Sequence, residues 1–326
     1  MSKLNWIVAG VGDIAQKRVI PAILAEPRST LYGVVTRHPA KAEAFPGARA
    51  FSSIEDAIAD PAVDAVYIAL PVAMHADAAI AALRAGKPVL CEKPMSMNGA
   101  KARRMVEEAR ASARLLGVSY YRRLYPKLIR AKQLIAEGAI GQPLLVESNC
   151  HGWLESEERA WLRDPALAGG GPLYDIASHR IDAMHFLFGQ FESACGRLSN
   201  TLHQLPVEDS ATALLKFAHG VHGVVDVRWN SRVRRDQFRI VGVEGVIDLD
   251  PLNGPELRVI TGMGGAGTEV QAEMLPPHAN LHYPLVANFV DAVLAGSSAL
   301  LACPAEQGQW ADFAIEQIVR SHSGPA

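Results

Sequence analysis

The chain has 326 residues, enough for two domains of ordinary size. Apolar residues make up 49% and charged residues 20%, a balance that supports large buried cores and excludes wholesale disorder. Lys and Arg (32) nearly cancel Asp and Glu (34), so a formal charge of -2 leaves no basic surplus for nucleic acid or an acidic membrane.

From residue 4 to about 120, short apolar runs alternate with helical stretches. Strands are expected at 4–9, 31–36, 63–70, 88–92 and 114–119, with helices between them, as at 73–85 and 98–113. The runs are apolar on both faces and bounded by Gly, Pro or charge, the pattern of parallel strands under helices on both sides. Such alternation implies βαβ units and a doubly wound sheet. Pro21 falls inside the first helix and predicts a kink or a late start there.

Beyond 120 the pattern changes. A helix is expected over 124–137, ending at Gly138, then a strand over 144–150, a Gly169-Gly170-Gly171 loop and a helix over 174–188. Strands then follow one another at 194–202, 210–218, 221–229, 237–243, 246–249 and 257–261, several with period-two alternation. Gly220 and Gly245 fit tight hairpin turns, and helices over 281–295 and 305–320 close the chain. The fold class is therefore an α/β Rossmann-type doubly wound parallel sheet followed by an α+β domain with a large, mainly antiparallel sheet. The boundaries are 1–120 and 121–326, with the last helix free to pack on the first domain.

Four widely spaced cysteines (Cys91, Cys150, Cys195, Cys303) fit free thiols in a reducing compartment. The N-terminal residues run straight into a strand, without the pattern of a signal peptide, and the apolar stretch 65–83 is broken by Pro71, His75 and Asp77. A cytoplasmic protein with no membrane partner is expected.

Gly10-Val11-Gly12-Asp13-Ile14-Ala15 follows the first strand and opens the first helix, the G-x-G-x-x-G/A pattern in its meaningful context. Gly10 permits the turn, Gly12 lets the backbone approach a pyrophosphate, and the helix start at Asp13 and Ile14 offers N–H groups to it. The second strand ends at Thr36-Arg37, where an NAD site usually carries a carboxylate. Its absence, with an Arg able to meet a 2′-phosphate, favours NADP and leaves NAD open.

Lys93, in Glu92-Lys93-Pro94 at the end of a strand, can polarise a carbonyl or stabilise an alkoxide. Asp175 and His179 lie four residues apart on one helix, and imidazole suits proton transfer near neutrality. His179, Asp182 and His185 are spread over too wide an arc for a metal site, so no metal is expected. Arg232, Arg234 and Arg235 read as a solvated turn before a strand. Trp153 and Trp229 read as core or substrate-wall residues.

Taken in order, Gly10–Ala15, Glu92-Lys93-Pro94 and the Gly-Gly-Gly-x-Leu-x-Asp-x-x-x-His run at 169–179 resemble the Gfo/Idh/MocA oxidoreductase family. The segments 122–126, 138–141 and 283–289 also match, so the resemblance spans nearly the whole chain. It implies hydride transfer between a nicotinamide and a sugar, inositol or related polyol or carbonyl compound, and subunit association through the second sheet as a homodimer or homotetramer. Lys93 resembles the family's catalytic lysine, His179 its general acid/base and Asp175 its substrate-positioning acid. Leu70, Pro71, His75 and Glu92 match cofactor-edge positions, and Trp161, Arg163 and Tyr283 resemble residues that reach the cofactor in some members. Ala177 stands where many members have Gly, a departure that leaves the Asp and His spacing intact. Two other readings stay open: a glycosidase or epimerase that retains NAD through transient oxidation, and a non-catalytic dinucleotide sensor.

Overall fold

Strands that are apolar on both faces require a sheet covered on both sides, and the first part of the chain builds one. The computed structural model describes residues 3–154, 157–262 and 267–323. The chain forms two compact units, Met1–Tyr121 with His278–Asp312, and Arg122–Pro277 with Phe313–Ala326.

In the first unit, β1 (Leu4–Ala9), β2 (Ser29–Val35), β3 (Arg49–Phe51), β4 (Ala65–Ile68), β5 (Val89–Cys91) and β6 (Leu116–Val118) form one sheet. Every pairing is parallel and the order is β3-β2-β1-β4-β5-β6, the doubly wound arrangement of dinucleotide-binding sheets. Between the strands run α1 (Ile20–Ala25), α2 (Pro39–Ala42), α3 (Ile54–Ala59), α4 (Val72–Arg84) and α5 (Gly99–Ser112). A wide π turn, Ala15–Val19, leads into α1 and places Pro21 at its first positions, so the helix yields just before the residue that lacks an N–H.

The second unit begins with α6 (Pro126–Ala136), β7 (Pro143–Trp153), α7 (Pro165–Ala168) and α8 (Ser178–Phe188). Then come β8 (Phe191–Ser199), β9 (Ser210–Phe217), β10 (His222–Arg228), β11 (Asn230–Gly242), β12 (Gly245–Asp248), β13 (Glu256–Thr261) and β14 (Glu269–Met274). The sheet order is β14-β13-β12-β11-β7-β10-β9-β8, antiparallel except for β7 with β10. On β9, Ala211, Ala213, Leu215 and Phe217 are buried while Thr212, Leu214 and Lys216 are exposed, so one face of the sheet is covered. α8 is buried along nearly its whole length and is held by Arg123, whose Nη2 donates to Asp182 at 2.7 Å. Both side chains of that pair are within 2% of full burial, which makes each dependent on the other.

Gly245 closes the tight β11–β12 hairpin turn: the last paired rung is Val241 with Val246, and a Cβ on Gly245 would lie 2.7 Å from the Ile260 carbonyl oxygen. Arg232, Arg234 and Arg235 lie within β11 rather than in a turn before it, and the Arg232 guanidinium sits 4.0 Å over the Trp153 ring. β3 and β14 were not anticipated; β3 is three residues long, and β14 is almost wholly exposed, so neither carries an apolar period. Gly220 does make the β9–β10 turn, at φ +80°.

α9 (Tyr283–Ala295) returns to the first unit, where Phe289 packs on Trp6 with ring centres 5.3 Å apart. α10 (Ala305–Ser323) follows, and its Asp312 reaches the segment after β5: Oδ1 accepts the Ser96 N–H at 2.7 Å and its hydroxyl at 3.1 Å. Asp312 is 2% exposed and its Oδ2 has no hydrogen-bond partner among the described residues. Burial pushes this carboxyl up to about 7, with the Ser96 donors opposing. The unfolded group ionises near 3.8, so the folded state holds the extra proton between about 4 and 7 and stability falls as pH rises through that window. Asp312→Asn is expected to abolish that slope and to be more stable than wild type above pH 7, by about 4 kcal/mol at most. Denaturant midpoints measured from pH 4 to 8 check this; parallel curves for the two proteins would refute it.

Candidate functional site

The turn after β1 shows why two glycines stand there. Gly10 has φ +96°, and a Cβ on it would lie 2.5 Å from the Ala69 carbonyl oxygen. Gly12 differs: a Cβ there would meet nothing within 4 Å, so no protein contact demands its smallness. It leaves an open cradle at the start of a helix, where backbone N–H groups and the positive dipole end favour an anion. Ala15 is fully buried, whereas Asp13 is on the surface and pairs with Lys17.

At the end of β2, Arg37 is exposed and the Thr36 hydroxyl accepts the His38 N–H at 3.1 Å. No carboxylate stands at Thr36 or Arg37. Lys41, not singled out from the sequence, reaches back and donates to the Val11 carbonyl at 3.3 Å, placing a second cation on the glycine turn. Its only sequence signal was a position four residues after Arg37.

Glu92 and Lys93 sit at the end of β5. The Glu92 carboxylate is 7% exposed and takes the Tyr67 hydroxyl at 2.6 Å, the Ser119 hydroxyl at 3.1 Å and the Lys93 N–H at 3.2 Å. His282 Nε2 lies 3.3 Å from Glu92 Oε1. Burial alone would raise this acid, but His282, the Tyr67 hydroxyl and the Lys93 charge outweigh it and hold the carboxyl down at about 2. Lys93, half-buried, is thus backed by a permanent anion. Tyr67, Ser119 and His282 are far apart in the chain, and nothing in their spacing marked them.

His75 is 1% exposed. Its Nε2 lies 2.8 Å from the Leu70 carbonyl oxygen and its Nδ1 3.0 Å from that of Pro94, so the ring ties the end of β4 to the Lys93-Pro94 turn. Burial lowers its pKa, opposed by these two contacts. His75 and Glu92 are therefore interior residues that fix backbone, while Pro71 caps α4. Tyr283, in the first turn of α9, stacks on His278 at 4.8 Å.

In the second unit the helix carrying Asp175 and His179 opens with a π turn, Leu173–Ala177, before α8. The four-residue spacing therefore only approaches ideal α geometry. Asp175 Oδ1 accepts from Arg159 Nη2 at 2.9 Å, a partner the sequence reading missed. His179 is 8% exposed. Trp161 and Ile176 both pack on a core of Leu162, Ala168, Val207 and Trp229, which seats the segment bearing Arg159 and Arg163 against the same helix. Trp229 is core; Trp153 is half-buried, edge-on to His203. Asp182 is taken by Arg123, and His185 Nδ1 lies 2.8 Å from the Gly189 carbonyl oxygen. Among the described residues no group of three or more His, Cys, Asp or Glu is arranged to hold a metal, and no helix is long and apolar enough to cross a membrane.

Known proteins were compared with this chain. The family described as "Oxidoreductase family, NAD-binding Rossmann fold" matches residues 4–120, and the "GFO/IDH/MocA C-terminal domain" matches 128–248. The 1,5-anhydro-D-fructose reductase of Ensifer adhaerens is 30% identical over 295 residues, 89% of this chain and 88% of that one. A trans-1,2-dihydrobenzene-1,2-diol dehydrogenase of Mus musculus is 29% identical over 268 residues, 79% and 78% of the two chains. Levoglucosan dehydrogenase in complex with NADH has the same fold, with TM-score 0.88 and 25% identity over 99% of this chain and 97% of that one.

Gly12→Ala is expected to leave thermal stability unchanged, because the added methyl meets no protein atom. The same methyl fills the anion cradle, so affinity for a nicotinamide dinucleotide is expected to fall about tenfold or more, roughly the worth of one lost charge-assisted hydrogen bond. Fluorescence titration of the reduced cofactor decides it: equal affinity for variant and wild type would move the pyrophosphate elsewhere.

Proposed function

The chain belongs to the Gfo/Idh/MocA oxidoreductase family, and we propose on that footing that it transfers hydride between a nicotinamide and a hydroxyl-bearing carbon of a sugar or related polyol. The observation that carries this reading is the Glu92-Lys93-Pro94 turn, anchored by a buried carboxylate at the carboxyl end of β5. Ligands of open α/β sheets bind at that end. The residues fit the cofactor: Gly12 leaves the pyrophosphate cradle open, and the helix start faces it with N–H groups. When bound, the nicotinamide supplies the hydride acceptor or donor.

Lys93 polarises the reacting oxygen and stabilises the charge that grows on it, while the Glu92 carboxylate behind it holds a fixed negative charge. His179 takes the hydroxyl proton in oxidation and returns it in reduction. Asp175 orients the hydroxyl, and Arg159 sets the angle of that carboxylate. Trp161, Arg163 and Tyr283 are the remaining contacts proposed for cofactor or substrate.

NADP is the preferred cofactor on this reading. Arg37 is exposed where an NAD site would present an acid, and Lys41 adds charge on the adjoining turn. The second sheet is proposed to join copies of the chain. Its uncovered face carries a row of Leu145, Val241, Val246, Ile260 and Val270 across five paired strands. Cys91, Cys150, Cys195 and Cys303 form no disulfide, in keeping with a reducing, cytoplasmic setting.

The test is turnover of 1,5-anhydro-D-fructose, levoglucosan, inositols and trans-dihydrodiols with each nicotinamide, followed by cofactor absorbance. Lys93→Ala and His179→Asn are each expected to lower kcat by about a hundredfold to ten-thousandfold while cofactor affinity holds. Wild-type rates in either variant would remove that residue from the chemistry. Arg37→Asp is expected to swing preference from NADP to NAD; unchanged NADP affinity would show the adenosine ribose to lie elsewhere.

A further inference from the structure

The glycine loop before α8 lies against the Tyr174 ring and the Glu208 residue. Glu208 is 9% exposed and its Oε1 accepts the Leu173 N–H at 3.0 Å. Pro172 has no N–H, so Leu173 carries the first N–H of this helix, and it goes to Glu208. The neighbouring glycines make room for the Tyr174 ring, 2.5 Å from a Cβ on Gly169 or Gly170, and for Glu208. A Cβ on Gly170 would lie 3.0 Å from Glu208 Oε2, and a Cβ on Gly171 would lie 2.1 Å from the Glu208 carbonyl oxygen.

The base from which Glu208 projects is itself fixed. Asp209 Oδ2 accepts the N–H groups of Leu202 at 2.8 Å and His203 at 3.1 Å, and Asp209 Oδ1 accepts from Asn230 Nδ2 at 2.9 Å. The Asp209 N–H in turn donates to the Ser199 carbonyl at 2.8 Å. A rigid strand entrance therefore presents an acid to a helix start, where negative charge is favoured. Asp175 follows Leu173 by two residues and His179 by six, so the position of that start decides where both side chains stand.

We infer that Glu208 is the positioning residue for Asp175 and His179. It clamps the helix start through the Leu173 N–H and thereby sets the approach of both to the substrate. The inference rests on the proposed roles of those two residues. Burial raises the Glu208 pKa, opposed by the Gly171 and Leu173 N–H groups, so a neutral isostere is tolerated at this position. What the clamp requires is reach: an acceptor at the end of a three-carbon side chain.

Two variants separate reach from charge. Glu208→Asp keeps the charge and withdraws the acceptor, while Glu208→Gln keeps the reach and removes the charge. Backbone amide hydrogen exchange over 171–179 is read together with kcat and KM on 1,5-anhydro-D-fructose with NADPH, and with NADPH affinity. The Asp variant is expected to exchange about tenfold faster over that segment and to lose about tenfold to a hundredfold in kcat, with NADPH affinity unchanged. The Gln variant is expected to stay within about threefold of wild type in every reading, since the amide oxygen still accepts. An Asp variant that matches wild type in exchange and in kcat overturns the inference. So does an Asp variant that loses NADPH affinity along with kcat, since that marks a general structural role. Absence of turnover by the wild type on any panel substrate would count against the proposed function alone; the exchange comparison would still decide whether Glu208 holds the helix start.

Discussion

An ionised carboxylate removed from water must be surrounded by donors or it neutralises, and Glu92 meets that requirement at the end of β5. The donors come from β4 (Tyr67), the segment after β6 (Ser119) and the following backbone N–H (Lys93), and the ring of His282, the residue before α9, lies 3.3 Å away. Each belongs to a different element, so the anion is satisfied only when the sheet and the returning helix are both in place. The consequence reaches Lys93 directly: the turn that carries it is fixed by that anion, and a positioned ammonium is what stabilises developing negative charge.

The second unit answers a similar demand differently. Glu208 takes its donors from the end of one helix, and the glycines beside it are there because any larger residue would strike it or Tyr174. Glu92 is held low by cations and a hydroxyl, whereas Glu208 meets only backbone dipoles and is raised by burial. Two buried acids beside residues with proposed chemical roles thus differ in charge economy: one supplies a permanent field, the other supplies a geometry.

Elements with a strong apolar period were legible from the sequence, among them β1, the α4–β5 pair and the β9–β10 hairpin, because burial on one or both faces writes itself into residue order. β14 was not legible, since an exposed edge strand of Glu, Gln and Ala residues carries no such record. The glycines at 10 and 12 could be read as a turn and a ligand approach, but only the space around each separates the one needed for packing from the one left open. Tyr67, Ser119, His282, Arg159 and Glu208 were invisible for a different reason. Their significance lies in partners 16 to 190 positions away, a relation that spacing along the chain does not encode.

Both helices that follow a glycine turn in this chain open with a π turn, Ala15–Val19 in one unit and Leu173–Ala177 in the other. In the first the cause is local: Pro21 cannot give an N–H to the turn before it, and the wider turn redistributes the carbonyls it would have served. In the second no proline lies downstream within the helix; Pro172 starts it and the Leu173 N–H is committed to Glu208. The chain enters α8 through one wide turn rather than a regular one. His179 lies in the first turn of regular helix after that adjustment, so its placement records the compromise between a start fixed by a carboxylate and a body fixed by the Arg123–Asp182 pair.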